Sequence, residues 1–415
     1  MQLVDDSSIS ARVVRRYRMR NRILIIASAI LSILLIILMS LLIHRARKQQ
    51  SLPDVYEKGH GSPMSSSSSS TITTTTATTS FVGTTPADTS SSIITSTSTT
   101  VTTTSASKPS LKICSAATWS KKGITVAGGT NSGSGLNQLT IPVDMFVNSE
   151  DAIYIADSFN HRIVKWNPGA SEGIVVVGGG TAGNRTHELN YVTGLFVDSE
   201  ESIYVADNHN HRVQKFKKDS KHATTLIGEY GPGSGINQIN NCWGLYVDKK
   251  FNIYVSEHSN HRITKWSPGA KIGQRVAFVS KPLGIHVDES NDDVYVASYS
   301  GDCVYRYSTD RKPVQRIGEK VLNSPYDFAF VPGFDSNNRD IIIADSEHHR
   351  VVKMNLDEPD LVTIIAGITN QGGSSAEEFN EPRRVRFDSK GNLLVLDSNN
   401  NRVQKFLIEN NKCDS

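Results

Sequence analysis

Beyond its first fifty residues this chain lacks any surplus of positive charge: residues 1–50 net +7, whereas residues 51–415 net −4. That lack removes the basic footprint with which a protein grips nucleic-acid phosphates. The sequence also has no Ser-centred nucleophile elbow and no phosphate-cradling glycine motif, which leaves α/β-hydrolase and nucleotide-binding chemistry without a signature. Cysteine is sparse, four in 415 residues, and four cysteines allow three pairings. From Ser65 to Ser107 charge is all but missing: Asp88 is the one charged residue, and 31 of the 43 positions are Ser or Thr. Such a segment buries too little apolar surface to offset its ordering entropy. With Pro86 and Pro109 nearby, it reads as an O-glycosylated stalk that holds a head away from a membrane.

Charge is absent a second time from Ile23 to Ile43, where only Ser28, Ser32 and Ser40 interrupt an apolar run. Its 21 residues would span roughly 31 Å as a helix, enough to cross a bilayer. Six arginines precede it (Arg12, Arg15, Arg16, Arg18, Arg20, Arg22), whereas Arg45, Arg47 and Lys48 come after it. The positive-inside rule therefore sets the amino terminus in the cytoplasm and the chain after Ile43 outside or in a lumen. The run ends in Ile43-His44-Arg45 with no small-residue cleavage site, so it reads as an uncleaved signal anchor. The expected organisation is a basic cytoplasmic tail over 1–22, a transmembrane helix over 23–43, a disordered stalk over 44–110 and a folded domain over 111–415.

What the folded part has in abundance is one phrase. Ile153-Tyr154-Ile155-Ala156-Asp157-Ser158-Phe159-Asn160-His161-Arg162 returns as Ile203-Tyr204-Val205-Ala206-Asp207-Asn208-His209-Asn210-His211-Arg212. It returns again as Ile253-Tyr254-Val255-Ser256-Glu257-His258-Ser259-Asn260-His261-Arg262, 50 residues further on. Weaker copies run from Val294 to Cys303, from Ile342 to Arg350 and from Leu394 to Arg402, which makes six units. Each unit opens about ten residues upstream with a strand ending in Asp, such as Gly194-Leu195-Phe196-Val197-Asp198. Each continues after the turn with a short strand such as Ile163-Val164-Lys165-Trp166 and a further apolar run. Four short strands per unit, rich in Val, Ile and Tyr and parted by Gly, Asn and Asp turns, make a propeller blade.

The Asn-His-Arg turn after Tyr-Val-Ala-Asp resembles the NHL repeat, and six such repeats imply an all-β, six-bladed NHL-type β-propeller. The resemblance covers about Gly123 to Phe406. The domain opens on Gly123-Ile124-Thr125-Val126-Ala127-Gly128, which reads as a fourth strand, and closes on Arg402-Val403-Gln404-Lys405-Phe406, which reads as a third. The first strand is thus expected to complete the last blade and hide the open edges. Cys114 and Cys413 flank these ends, and a bridge between them is expected to lock the ring by about 5 kcal/mol in the chain-entropy account. Cys242 and Cys303, in loops of neighbouring blades, are expected to form a second bridge. Asn184-Arg185-Thr186 is an N-glycosylation acceptor in a Gly-rich connection.

The recurring histidines argue against catalysis, because a catalytic His is needed once or twice and not in the corresponding turn of four blades. The Asp of each turn is expected to accept hydrogen bonds, the Asn to tolerate a left-handed conformation, and Arg162, Arg212, Arg262, Arg350 and Arg402 to pair with the acid five residues earlier. Peptidylglycine-amidating lyases resemble this fold and hold zinc through histidines after the proline that opens an inner strand. The matching positions here are Val143, Thr193, Trp243, Leu283, Tyr326 and Arg383, none of them His. His286 stands alone in an inner strand and reads as a satisfied interior residue. No metal or other cofactor is expected.

Positions that differ between blades carry recognition in this reading. At the inner-strand entrances these are Asp144, Trp243, Tyr326, Asp327, Arg383 and Arg384, an aromatic pair flanked by charges of both signs that suits a peptide, a glycan or a small polar ligand. The function expected is non-enzymatic: a membrane-anchored extracellular scaffold or receptor binding a protein or glycan. A lumenal or extracellular lyase or lactonase is the first alternative. An intracellular RNA- or protein-binding propeller of inverted topology is the second.

Overall fold

The computed structural model describes residues 111–129, 131–336 and 338–412. The basic tail, the apolar span Ile23–Ile43, the stalk over 44–110 and Cys413 lie outside the described residues. The chain divides into units over 1–100 and 101–415, and the described residues all belong to the second. Among them no helix is long and apolar enough to cross a membrane.

Six four-stranded antiparallel sheets succeed one another round a ring. Their innermost strands are Asp144–Val147, Val192–Val197, Cys242–Val247, Pro282–Asp288, Pro325–Phe330 and Pro382–Phe387, for blades 1 to 6. Each inner strand packs beside the next, and the sixth beside the first. Ile124–Gly128 pairs with Arg402–Phe406 as the fourth strand of blade 6, with Ile124 opposite Lys405 and Gly128 opposite Arg402. The ring is therefore closed as its repeat phase implied. A small ribbon of Thr118–Trp119 and Ile408–Asn410 adds a second tie between the two ends.

Burial explains the pattern of each strand. The second strand of a blade is covered on both sides by neighbouring blades, so Ile153–Asp157, Ile203–Asp207 and Ile253–Glu257 are buried at every position, and the sequence runs apolar instead of alternating. The outermost strand Ile174–Gly178 is mostly half-buried, with Ile174 exposed. Between blades 1 and 2 the core is Tyr154, Ala156, Ile163, Leu195, Val205 and Phe216, each large aliphatic or aromatic side chain stabilising by about 1.5–3 kcal/mol.

The turn after the second strand corrects one expectation. Asn160, Asn210, Asn260 and Asn400 end short 3-10 turns, and the left-handed residue is the next one along: His161, His211, His261, His349 and Asn401, with φ between 52° and 54°. The Asn is fixed by its amide instead. Asn160 Nδ2 donates to the Gly133 carbonyl at 2.9 Å and to Asp157 Oδ2 at 2.8 Å. The expected ion pairs do form, Arg162–Asp157, Arg212–Asp207, Arg350–Asp345 and Arg402–Asp397 at 2.7 Å and Arg262–Glu257 at 2.9 Å. The guanidinium also reaches back to the connection: Arg162 Nη1 donates to Ser134 O and Nη2 to Gly135 O and Gln138 O.

The second disulfide does not form: Cys242 and Cys303 are both free and buried. Cys242 begins an inner strand and its sulfur lies 3.7 Å from the Arg212 carbonyl of blade 2, within the core shared by blades 2 and 3. Cys303 begins the third strand of blade 4, opposite Ser298. The two side chains are buried apart from each other, Cys242 in the core shared by blades 2 and 3 and Cys303 within blade 4, which sequence position does not reveal. At the chain ends, Asn411 accepts the Cys114 backbone N–H at 2.9 Å and donates to the Lys112 carbonyl at 3.0 Å.

Candidate ligand site in the central channel

The channel is built from equivalent positions of six inner strands. One such ring of positions is Asp144, Gly194, Gly244, Gly284, Asp327 and Arg384, set opposite Ala156, Ala206 and Ala344 and Leu396 where the register is continuous. In blades 2, 3 and 4 it is glycine for lack of room. A Cβ on Gly244 would sit 2.0 Å from the Leu283 carbonyl oxygen, and one on Gly284 2.4 Å from Asp327 Oδ1. In blades 5, 6 and 1 the same position is charged. Arg384, in the middle blade, reaches both neighbours: Nη1 to Asp327 Oδ1 at 2.6 Å, Nε to Asp144 Oδ1 at 2.7 Å and Nη2 to Asp144 Oδ2 at 3.0 Å. Arg386 adds a 2.6 Å contact from Nη1 to Asp327 Oδ2, and the Leu195 and Met145 backbone N–H groups donate to Asp144.

Asp144, Asp327 and Arg384 are 0–3 % exposed. They were expected at the open entrance, and the structure makes them an internal ionic plug that holds blades 5, 6 and 1 together. Burial pushes the Asp144 carboxyl up to about 6, against the pull of Arg384 and Arg386 and aided by Asp327. Burial acts the same way on Asp327, but Arg384 and Arg386 outweigh it and hold that carboxyl below its ordinary value. The asymmetry comes from contact, two guanidinium groups on Asp327 and one on Asp144.

Trp243, Tyr326 and Arg383 are brought together one position earlier in their strands, with Val143 and Leu283. The Trp243 and Tyr326 rings meet edge to face at 5.8 Å, and the Arg383 guanidinium lies 5.1 Å from the Tyr326 ring. Trp243 also faces Tyr191 at 6.1 Å and His258 at 5.6 Å. Arg383 Nη2 pairs with Glu381 at 3.0 Å and stands within reach of the Tyr191 hydroxyl. Burial, then the nearby Lys281 and His261, lowers His258 to about 4, so it is a neutral imidazole at physiological pH. Trp243 Nε1, the Tyr326 hydroxyl and Arg383 Nε have no hydrogen-bond partner among the described residues. His286 Nδ1 is likewise unpartnered, which corrects its reading as a satisfied interior residue.

Sequence reasoning missed Tyr191, Lys281 and Glu381. They occupy one repeat position with Ile141, Asn241 and Ser324, all six at positive φ. Since this position differs in every blade, the criterion that singled out Trp243 and Tyr326 would have found it too. Grooves also lie elsewhere, at the rim. A 380 Å³ groove between blades 2 and 3 is lined by Tyr204, Lys215, Phe251, Trp266 and Pro268, and a 450 Å³ groove between blades 1 and 2 has the matching Tyr154 and Lys165. Their recurrence marks them as products of blade packing. Among the described residues no group of three or more His, Cys, Asp or Glu is placed to hold a metal ion.

The NHL repeat family model matches residues 189–216 and 379–406. Comparison with curated proteins finds no match. Among solved structures, an auxiliary nutrient binding protein from Bacteroides ovatus is 15 % identical with a TM-score of 0.54, covering 71 % of this chain and 78 % of that one. A second, from Bacteroides thetaiotaomicron, is 16 % identical with a TM-score of 0.53, covering 69 % and 76 %. At such identity the likeness speaks for the fold alone. Two matched repeats, six sheets in a closed ring and the recurring acid-to-Arg turn mark residues 111–412 as a six-bladed β-propeller carrying NHL repeats.

Proposed function

We propose that this chain is a membrane-anchored recognition module, displaying its propeller on the extracellular or lumenal side and binding a protein, peptide or glycan at the channel mouth. The observation that carries the reading is a contrast between positions. The residues that join the blades are nearly the same in every repeat. Those around the mouth differ throughout: Ile141, Tyr191, Asn241, Lys281, Ser324 and Glu381 in the connections, and Val143, Thr193, Trp243, Leu283, Tyr326 and Arg383 at the strand entrances. A rigid frame with varied side chains at one opening suits binding better than chemistry.

The uncharged span Ile23–Ile43, its arginine-rich flank and the Ser/Thr-rich stalk support display outside the cytoplasm. Asn184 is exposed on a Gly-rich connection, open to a glycan. A Cys114–Cys413 bridge would tie the ends where Asn411 already joins them, and it belongs to the same oxidising compartment. In this reading the ionic plug is structural, and recognition falls to Trp243, Tyr326 and Arg383.

The test is binding of the purified full chain to peptide and glycan arrays beside Trp243→Ala. Binding that Trp243→Ala abolishes, while a rim variant such as Phe278→Ala retains it, is the expected result. Binding indifferent to Trp243, or lost with Phe278, would move recognition away from the mouth.

A further inference from the structure

The three unpartnered groups at the mouth share one chemical property. The Trp243 indole N–H and the Arg383 Nε–H can only donate, and the Tyr326 hydroxyl has a proton to give. Tyr326 is 6 % exposed, and burial raises its phenol well above the ordinary value, so that proton stays in place. Buried donors in folded proteins are almost always paired. Three on side chains gathered around the Tyr326 ring leave a shared need for an acceptor.

The surroundings narrow the acceptor. Arg383 is countered by Glu381 at 3.0 Å. Lys281 acts on His258, and Glu347, Glu381 and Arg383 all act on Tyr299. Charges of both signs therefore stand near the opening, Lys281 and Arg383 against Glu347, Glu381 and the Asp302 that takes the Ser324 N–H, with no cationic surplus. A singly charged oxyanion meets donors there without a large opposing field, whereas a doubly charged phosphate lacks the cationic surplus that holds it. The partly exposed Tyr191 and Trp243 side chains offer apolar surface for the body that carries the anion. The Arg383 tip is held by Glu381 and by the nearby Tyr191 hydroxyl, which leaves its Nε for a ligand.

We propose that the mouth binds the carboxylate of a small acidic ligand, its oxygens accepting from Trp243 Nε1, Arg383 Nε and the Tyr326 hydroxyl, with the ligand body against the aromatic rings. The inference rests on the reading of the propeller as a recognition module and names the group recognised. A carboxylate reaches such a site from an acidic sugar or from the C-terminus of a peptide, and the test separates them.

Calorimetric titration of the full chain compares glucuronate and hippurate, each beside its uncharged methyl ester. At least one acid binds about tenfold or more tightly than its ester, since hydrogen bonds to charged groups are the strong ones. Arg383→Gln and Tyr326→Phe each remove most of that preference while leaving the melting temperature near wild type. Tyr326→Phe keeps the ring, so its effect reads the hydroxyl alone. Which acid wins identifies the source. Equal binding of acid and ester, or no binding of either acid at millimolar concentration, overturns the carboxylate assignment. If Trp243→Ala still abolishes array binding in that case, the recognition reading stands without it.

Discussion

The Nδ1 atom of His161 accepts the backbone N–H of Tyr191, 3.1 Å away and one blade further round the ring. The same bond recurs from Asn241 to His211 and from Lys281 to His261 at 3.1 Å, and from Glu381 to His349 at 3.3 Å. At the remaining two junctions Asn401 takes the Ile141 N–H at 2.7 Å and Asp302 takes that of Ser324 at 2.9 Å. All six junctions thus join two residues of positive φ through one acceptor. The repeated histidine is an inter-blade fastener, and a backbone N–H can only donate, so its Nδ1 must be unprotonated.

Acid should therefore loosen the ring. Burial lowers His161 and His211, with His209 adding to the effect and Asp207 opposing it at both sites and Asp157 at His161. An unfolded imidazole has its ordinary value near 6.5, so below that pH the unfolded chain binds more protons and stability falls. Denaturation midpoints measured from pH 7.5 to 5 should drop steadily. His161→Ala should cost about 1 kcal/mol at neutral pH, His161→Asn much less, because Asn401 already does this work. Replacing His161 and His211 together by Asn should make the acid limb shallower without removing it, because the buried His258 and His286 are lowered too. An unchanged limb would place the acid sensitivity elsewhere.

Arg384→Met should destabilise by about 3–5 kcal/mol, since it leaves the buried Asp144 carboxylate without a counter-charge and takes one of two from Asp327. Adding Asp144→Leu should recover most of that loss, because Asp327 keeps Arg386. A double-mutant cycle by urea denaturation measures the coupling, and additive losses would contradict the shared network.

At Gly244 the obstacle is backbone. Ala there would place a methyl 2.0 Å from the Leu283 carbonyl, and overpacking of this kind costs about 1–3 kcal/mol or more. Gly180, with open space around its Cβ position, should accept Ala with little change in melting temperature. Equal tolerance at both positions would refute the tight approach of blades 3 and 4.

Thiol counting checks the cysteines. Burial raises Cys242, and Cys303 to about 11, so neither forms the reactive thiolate. Alkylation of the native, unreduced protein should label neither. In denaturant without reductant two thiols should appear, and four would remove the proposed Cys114–Cys413 bridge.

The fold was legible because a propeller writes its architecture as a period, and its closure because Ile124–Gly128 carries the phase of a fourth strand. The sites were legible only in part. Asp144, Asp327 and Arg384 stand far apart along the chain and converge only once blade 6 meets blade 1, so a rule for variable positions finds them without saying that they are buried. The histidines read correctly as structural, yet their partners lie on the next blade, 30 residues away for His161, where no local pattern points. Cys242 and Cys303 misled because loop position fixes a face of the ring but not where a side chain is buried.

The proposed display of the propeller outside the cytoplasm underlies the proposed recognition role, bridge and glycan together. With a tag after Ser415, antibody access on intact, unpermeabilised cells tests it directly. The account predicts an accessible tag and a glycosidase-sensitive mass shift that Asn184→Gln reduces. A tag reached only after permeabilisation, on a chain without glycans, would contradict it.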